Sequence, residues 1–151
     1  IGVERKNDFS SIYAEVCHEL AHAAHFSKVG TGYWNNNIIY VLESFISSGV
    51  MDYGDGKGRN AGYCEVSEMW AYYLSSRMWQ DRYGGDYPAF GTSFWFYPQI
   101  FRYMEQKGLE PWQIFSVMDE EINSRDTLRR ALMAAYPEHS DYVELIFNRY
   151  M

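Results

Sequence analysis

The chain has 151 residues, enough for one domain with one core. Hydrophobic residues make up 47% and aromatics 19%, which excludes wholesale disorder. A formal charge of −7 with scattered Lys and Arg argues against a nucleic-acid partner, and no apolar run reaches the roughly 18 residues of a transmembrane segment.

Periodicity and punctuation predict helices nearly throughout. Asp8 is placed to cap a first helix that runs to about Lys28, with Gly30 as its stop. A second helix is expected from about Asn36 to Ser48, with Ile39, Leu42, Phe45 and Ile46 as its apolar stripe and Gly49 at its end. The stretch GVMDYGDGKGRNAGY follows, with five glycines in fifteen residues, and reads as a loop. A third helix covers about Cys64 to Tyr83 and closes at Gly84-Gly85. Pro98 opens a fourth, which Gly108 stops, and Pro111 opens a fifth, PWQIFSVMDEEI. Ser124 caps RDTLRRALMAAY, which must end at Pro137, and Ser140 caps DYVELIFNRY. The aromatic stretch over 87–97 has room for a short strand. The expected fold is all-α, a single helical domain of six to seven helices.

Three of the four histidines fall within eight residues, His18, His22 and His25, and Glu19 directly follows the first. Positions 18 and 22 are about 40° and one turn apart on a helix, so both imidazoles leave one face and can meet one ion. Glu19 lies about 100° round, too far to be a natural third ligand but within reach of a water on that ion. His18-Glu19-Leu20-Ala21-His22 is the H-E-x-x-H arrangement of zinc peptidases. Ile12, Val16, Leu20 and Ala24 form an apolar stripe beside the histidines, and Ala21, Ala23 and Ala24 are small enough to admit a second helix closely. His25 is about 10.5 Å along the axis from His18, which makes a shared tetrahedral ion difficult; a role beside the ligands or in packing remains open. A metzincin third histidine, beyond a glycine turn, is excluded because no glycine follows His22 before Gly30.

A third ligand must then come from elsewhere. The third helix offers Glu65 and Glu68, three apart on one face. From Glu68 onward, Glu68-Met69-Trp70-Ala71-Tyr72-Tyr73 resembles the second helix of the gluzincin superfamily of zinc metallopeptidases, where a Glu is followed by an aromatic, a small residue and another aromatic. The resemblance covers about residues 9 to 80. It departs in having Ser67 before the Glu where Asn is common, and in the 45 residues between His22 and Glu68.

The resemblance implies zinc as cofactor, held by His18, His22 and Glu68, and Glu19 as general base toward a zinc-activated water. It also implies an oxyanion donor from outside the metal helix; Tyr72, Tyr73, Tyr97 and His139 are the choices, with Tyr72 the natural one, one turn past Glu68. Glu15 and Glu65 are placed to orient ligands. The expected function is a zinc-dependent peptidase hydrolysing peptide or protein substrates. The alternative is a non-catalytic helical domain keeping a structural or binding metal site, which a fourth ligand such as Glu65 or Cys64 would close. Gluzincin-like domains place a small sheet before the metal helix, and here about eight residues precede it, so an upstream domain is expected to complete the cleft. Cys17 and Cys64 are expected to be free thiols, and the Lys-poor, aromatic-rich composition is in keeping with an extracytoplasmic setting.

Overall fold

The computed structural model describes residues 9–49 and 53–150; the expected cap at Asp8 lies outside them. The helices are α1 (Phe9–Ser48), α2 (Ala61–Tyr83), α3 (Gln99–Glu105), α4 (Pro111–Ser116), α5 (Arg125–Ala135) and α6 (Ser140–Asn148), with a 3-10 turn at Pro137–His139. No strand occurs among the described residues, and 87–97 is irregular chain. The chain is all-α, as its periodicity predicts. No described helix is long and apolar enough to cross a membrane.

The first two expected helices are one span with a break. Gly30 has φ 76° and ψ −178°, a conformation open essentially to glycine alone, and the helix resumes directly after it. Gly30 therefore ends the first helical run, as expected, and bends the chain into a second run that begins directly after it rather than at Asn36. The inward stripe continues across the bend through Ala14, Cys17, His18, Ala21, His25, Val29, Tyr33, Asn37, Tyr40 and Ser44.

The expected apolar stripes of α1 do not face the core. Ile12, Val16 and Leu20 are 46%, 50% and 59% exposed, and Ile39, Leu42, Phe45 and Ile46 are also exposed. The physical reason lies on the other face, where α1 meets α2 through small and polar residues. Ser75 Oγ donates to the Ala14 carbonyl at 2.8 Å, and Tyr33 Oη donates to the Tyr63 carbonyl at 3.0 Å. Asn37 Nδ2 donates to Ser67 Oγ at 3.0 Å, and Ser67 Oγ in turn donates to the Cys64 carbonyl. Before the bend α1 runs antiparallel to α2, with Ala14 by Ser75 and the histidines by Glu68; beyond it, Tyr33 meets Tyr63 and Asn37 meets Ser67.

α2 is the central element. Every residue from Cys64 to Ala71 is buried, as for a helix covered on all sides. Its face away from α1 enters the main core with Phe96, Phe101, Met104, Leu109, Ile114, Met118, Leu128, Leu132, Val143 and Phe147 from α3 to α6 and their connections.

Two termini differ from expectation. The fifth expected helix stops at Ser116, because Lys28 Nζ reaches across from α1 and binds the last carbonyls, Phe115 and Ser116. Ser124 caps α5 as expected, in a reciprocal pair with Thr127. Ser140, by contrast, is the first residue of α6 rather than its cap, and its hydroxyl donates to the Met133 carbonyl.

α2 packs with almost no clearance on the connection before α5. A Cβ at Gly62 would lie 1.9 Å from the Asn123 carbonyl oxygen, whereas one at Gly32 meets nothing within 4 Å. Gly62→Ala is expected to destabilise the fold by about 1–3 kcal/mol, and Gly32→Ala to stabilise it by up to about 1 kcal/mol. Chemical denaturation of both variants measures the pair; equal midpoints would show that the contact at Gly62 yields.

Candidate metal centre

His18 and His22 leave α1 one turn apart with their Nε2 atoms 3.0 Å from each other. Glu68 enters from α2, with Oε2 3.3 Å from His18 Nε2 and Oε1 3.3 Å from His22 Nε2. Among the described residues this is the one group of three or more potential ligands whose donor atoms converge, all within 4.8 Å. His18 and Glu68 are buried and His22 is half-buried.

The donor set and its spacing fit zinc. Nitrogen and oxygen ligands at about 2.0–2.1 Å around a tetrahedral ion lie about 3.3 Å from one another. The two imidazole nitrogens are 3.0 Å apart, and each lies 3.3 Å from a different oxygen of Glu68, so both carboxylate oxygens face the histidine pair. A single proton can satisfy one of these contacts, while an ion satisfies all three. Burial alone pushes the Glu68 carboxyl up, but its bonds to His18 and His22 outweigh that and hold it below the ordinary range. It is thus an anion facing two imidazoles.

Beyond their contacts with Glu68, the imidazoles are held by ring packing. Nδ1 of both His18 and His22 is buried without a hydrogen-bond partner. The Tyr72 ring lies edge-on to His18 at 4.4 Å, and Trp34, from beyond the bend in α1, lies edge-on to His22 at 5.3 Å. Glu65 does not orient a ligand: its carboxylate pairs with the Arg125 side chain and accepts the Arg125 backbone N–H, tying α2 to α5. Glu15 lines the cleft, exposed.

A cleft of about 460 Å³ opens beside the cluster and is lined by His18, Glu19, Tyr53, Tyr72, Phe90 and Phe94, among others. Glu19 is exposed, one residue round from His18, where the helix geometry puts it. Of the expected oxyanion donors, Tyr72 alone stands here. Tyr73 Oη donates to Glu105 at 2.9 Å on the opposite side of α2, Tyr97 packs on Tyr150, and His139 lies near Glu138 and Gly108.

Tyr53 escaped sequence reasoning. Its hydroxyl lies 3.0 Å from that of Tyr72, and its ring packs on Phe94 and Phe96. Trp95 Nε1 donates to the Tyr53 carbonyl at 2.9 Å, joining the glycine-rich loop to the 84–97 segment. A lone aromatic among the loop glycines was the only available signal. Gly91 seats the wall: with φ +72°, its Cα lies so close to the Tyr72 ring that a Cβ would come within 2.4 Å of it.

His25 stands apart from the cluster. It is fully buried against Tyr33 and Trp34, and neither ring nitrogen has a partner. Cys17 and Cys64 are both buried and free. Comparison with protein-family models, curated proteins and solved structures gives no match.

Burial, reinforced by His22 and Lys28, lowers the His25 pKa from 6.5 to about 4. As pH falls, the unfolded chain takes up this proton first, so the stability from neutral His25 is intact above about pH 6.5 and is lost toward pH 4. The shift corresponds to about 3 kcal/mol. His25→Phe is therefore expected to flatten the acid limb of stability by up to this amount in chelator-treated protein; parallel pH profiles for the two proteins would refute it.

Proposed function

We propose that this chain is a zinc-dependent peptidase domain, with zinc held by His18, His22 and Glu68. The observation that carries this reading is the convergence of the donor atoms of His18, His22 and Glu68, all within 4.8 Å of one another, beside an open cleft. When bound, zinc supplies Lewis-acid polarisation of a carbonyl and lowers the pKa of a water toward about 7.

The protein's own residues carry the remaining roles. Glu19, in the cleft wall next to His18, accepts a proton in the cleft and returns it to the leaving amine. Tyr53 and Tyr72 share one hydrogen bond between two hydroxyls, so one O–H of the pair is left to donate to a developing oxyanion. Burial raises the pKa of both phenols, which keeps them protonated as donors. The aromatic wall of Tyr53, Tyr72, Phe90 and Phe94 keeps that side of the cleft dry.

The reading of a closed, structural metal site loses its two expected extra ligands. Glu65 is held by Arg125, and Cys64 packs with Tyr40 and Ala61. An open position beside three protein ligands is the pattern of a catalytic ion.

One zinc per chain is expected by inductively coupled plasma mass spectrometry of the wild type, and a loss of bound zinc in Glu68→Gln. At a free zinc concentration 100-fold above Kd, the ion should stabilise the apo protein by about 2.7 kcal/mol, and Glu68→Gln should lack this gain. Glu19→Gln should keep its zinc and lose about 10²–10⁴ in rate on a peptide library. A zinc-free wild type, or undiminished cleavage by Glu19→Gln, would sink the proposal.

A further inference from the structure

A second cavity, of about 430 Å³, lies next to the metal cleft, and Phe90 lines both. α2 supplies adjacent residues to each, Tyr72 and Ser75 to the cleft and Tyr73 and Ser76 to the second cavity. Ser76 is eight residues beyond Glu68, about 12 Å along the helix axis. An extended peptide covers that distance in three to four residues.

The cavity contains a cation with no carboxylate. Arg102 lines it and makes no ion pair among the described residues, in a chain of net charge −7. The nearby acid, Glu105, is already occupied on both oxygens, Oε1 by Arg77 and Oε2 by Tyr73. The Arg102 guanidinium instead lies over the Tyr87 ring, 3.8 Å from its centroid. Stacking fixes the plane of the guanidinium and leaves its N–H edge free, the arrangement that grips a planar carboxylate. Two further polar groups line the same space. Ser76, 1% exposed, lies against the Tyr87 phenol, and Gln99 Oε1 is buried and unsatisfied. A buried acceptor without a donor is costly in a folded protein, and a backbone N–H of a bound peptide would supply the donor that Gln99 Oε1 lacks.

We infer that this cavity binds a carboxylate carried by the peptide in the metal cleft, three to four residues from the bond presented there, with Arg102 as its counter-ion. The inference rests on the peptidase reading for the peptide's placement, but the carboxylate site is defined by its own residues. The carboxylate is either the chain terminus or an Asp or Glu side chain; both present the same planar anion.

Calorimetric titration of the full chain, zinc-loaded and metal-free, with three acetylated hexapeptides tests it. One has a free C-terminal carboxylate, one is the same peptide as its amide, and one is an amide carrying a Glu side chain near its end. At least one carboxylate-bearing peptide should bind about tenfold or more tightly than the plain amide. Whichever it is identifies the source of the carboxylate. Arg102→Gln should erase the difference and Arg102→Lys should restore part of it, with circular dichroism confirming the fold of each. Equal affinity for all three peptides in the wild type, no measurable binding of any, or an undiminished preference in Arg102→Gln would overturn the inference. Binding with this preference but without cleavage would leave the subsite standing while the peptidase reading fails; cleavage without the preference would do the reverse.

Discussion

The structure depends on how closely α1 and α2 approach. His18, His22 and Glu68 belong to different helices, and their ligand atoms meet only if the two backbones come near each other at that level. The residues that face the partner helix are accordingly small or form short polar bonds: Ala14, Cys17 and Ala21 on α1, and Ser67, Ala71 and Ser75 on α2. A larger side chain at Ala21 or Ala71, both almost fully buried, would separate the helices and with them the cluster. Ser67, one residue before Glu68, is bonded to Asn37 from beyond the bend, so the turn that presents Glu68 is held from α1 as well as from α2.

This arrangement also distributes charge and apolar surface. α2 is buried on all sides through its first half and therefore carries its anions in pairs of fixed purpose: Glu68 toward the histidines and Glu65 toward Arg125. Each buried carboxylate has a cationic or imidazole partner, which is the condition for tolerating it there. α1 has the opposite character. Its inner face is taken up largely by histidines, alanines and hydrogen-bonded polar groups, and apart from Val29 its buried stripe holds no branched aliphatic.

That inversion explains which parts of the molecule were legible in the sequence. Most helix spans were, because glycines, prolines and Ser124 mark their ends locally, but the end of α4 was not. The pairing of His18 and His22 was, because a four-residue spacing on a helix fixes two side chains without any tertiary knowledge. Glu68 was reachable only by the resemblance of its helix, since spacing left Glu65 equally available and the ion pair with Arg125 that removes Glu65 is made across sixty residues. The inward face of α1 was misread because hydrophobic periodicity assumes that aliphatics mark the core. Tyr53 and the Lys28 clamp on α4 were not legible at all. Both arise where loops or helix ends from distant parts of the chain meet, and neither leaves a local pattern.

The bend at Gly30 has a consequence for the enclosure of the cluster. No atom lies within 4 Å of where a side chain at Gly30 would begin, so the requirement for glycine there is torsional rather than a matter of room. Trp34, four residues on, is the ring that covers His22 and reaches His25 and Phe26. One backbone dihedral thus aims the shield of a histidine it never touches. A change at this bend would act on the cluster as a lever acts, by swinging the indole aside while His18, His22 and Glu68 kept their places on their own helices.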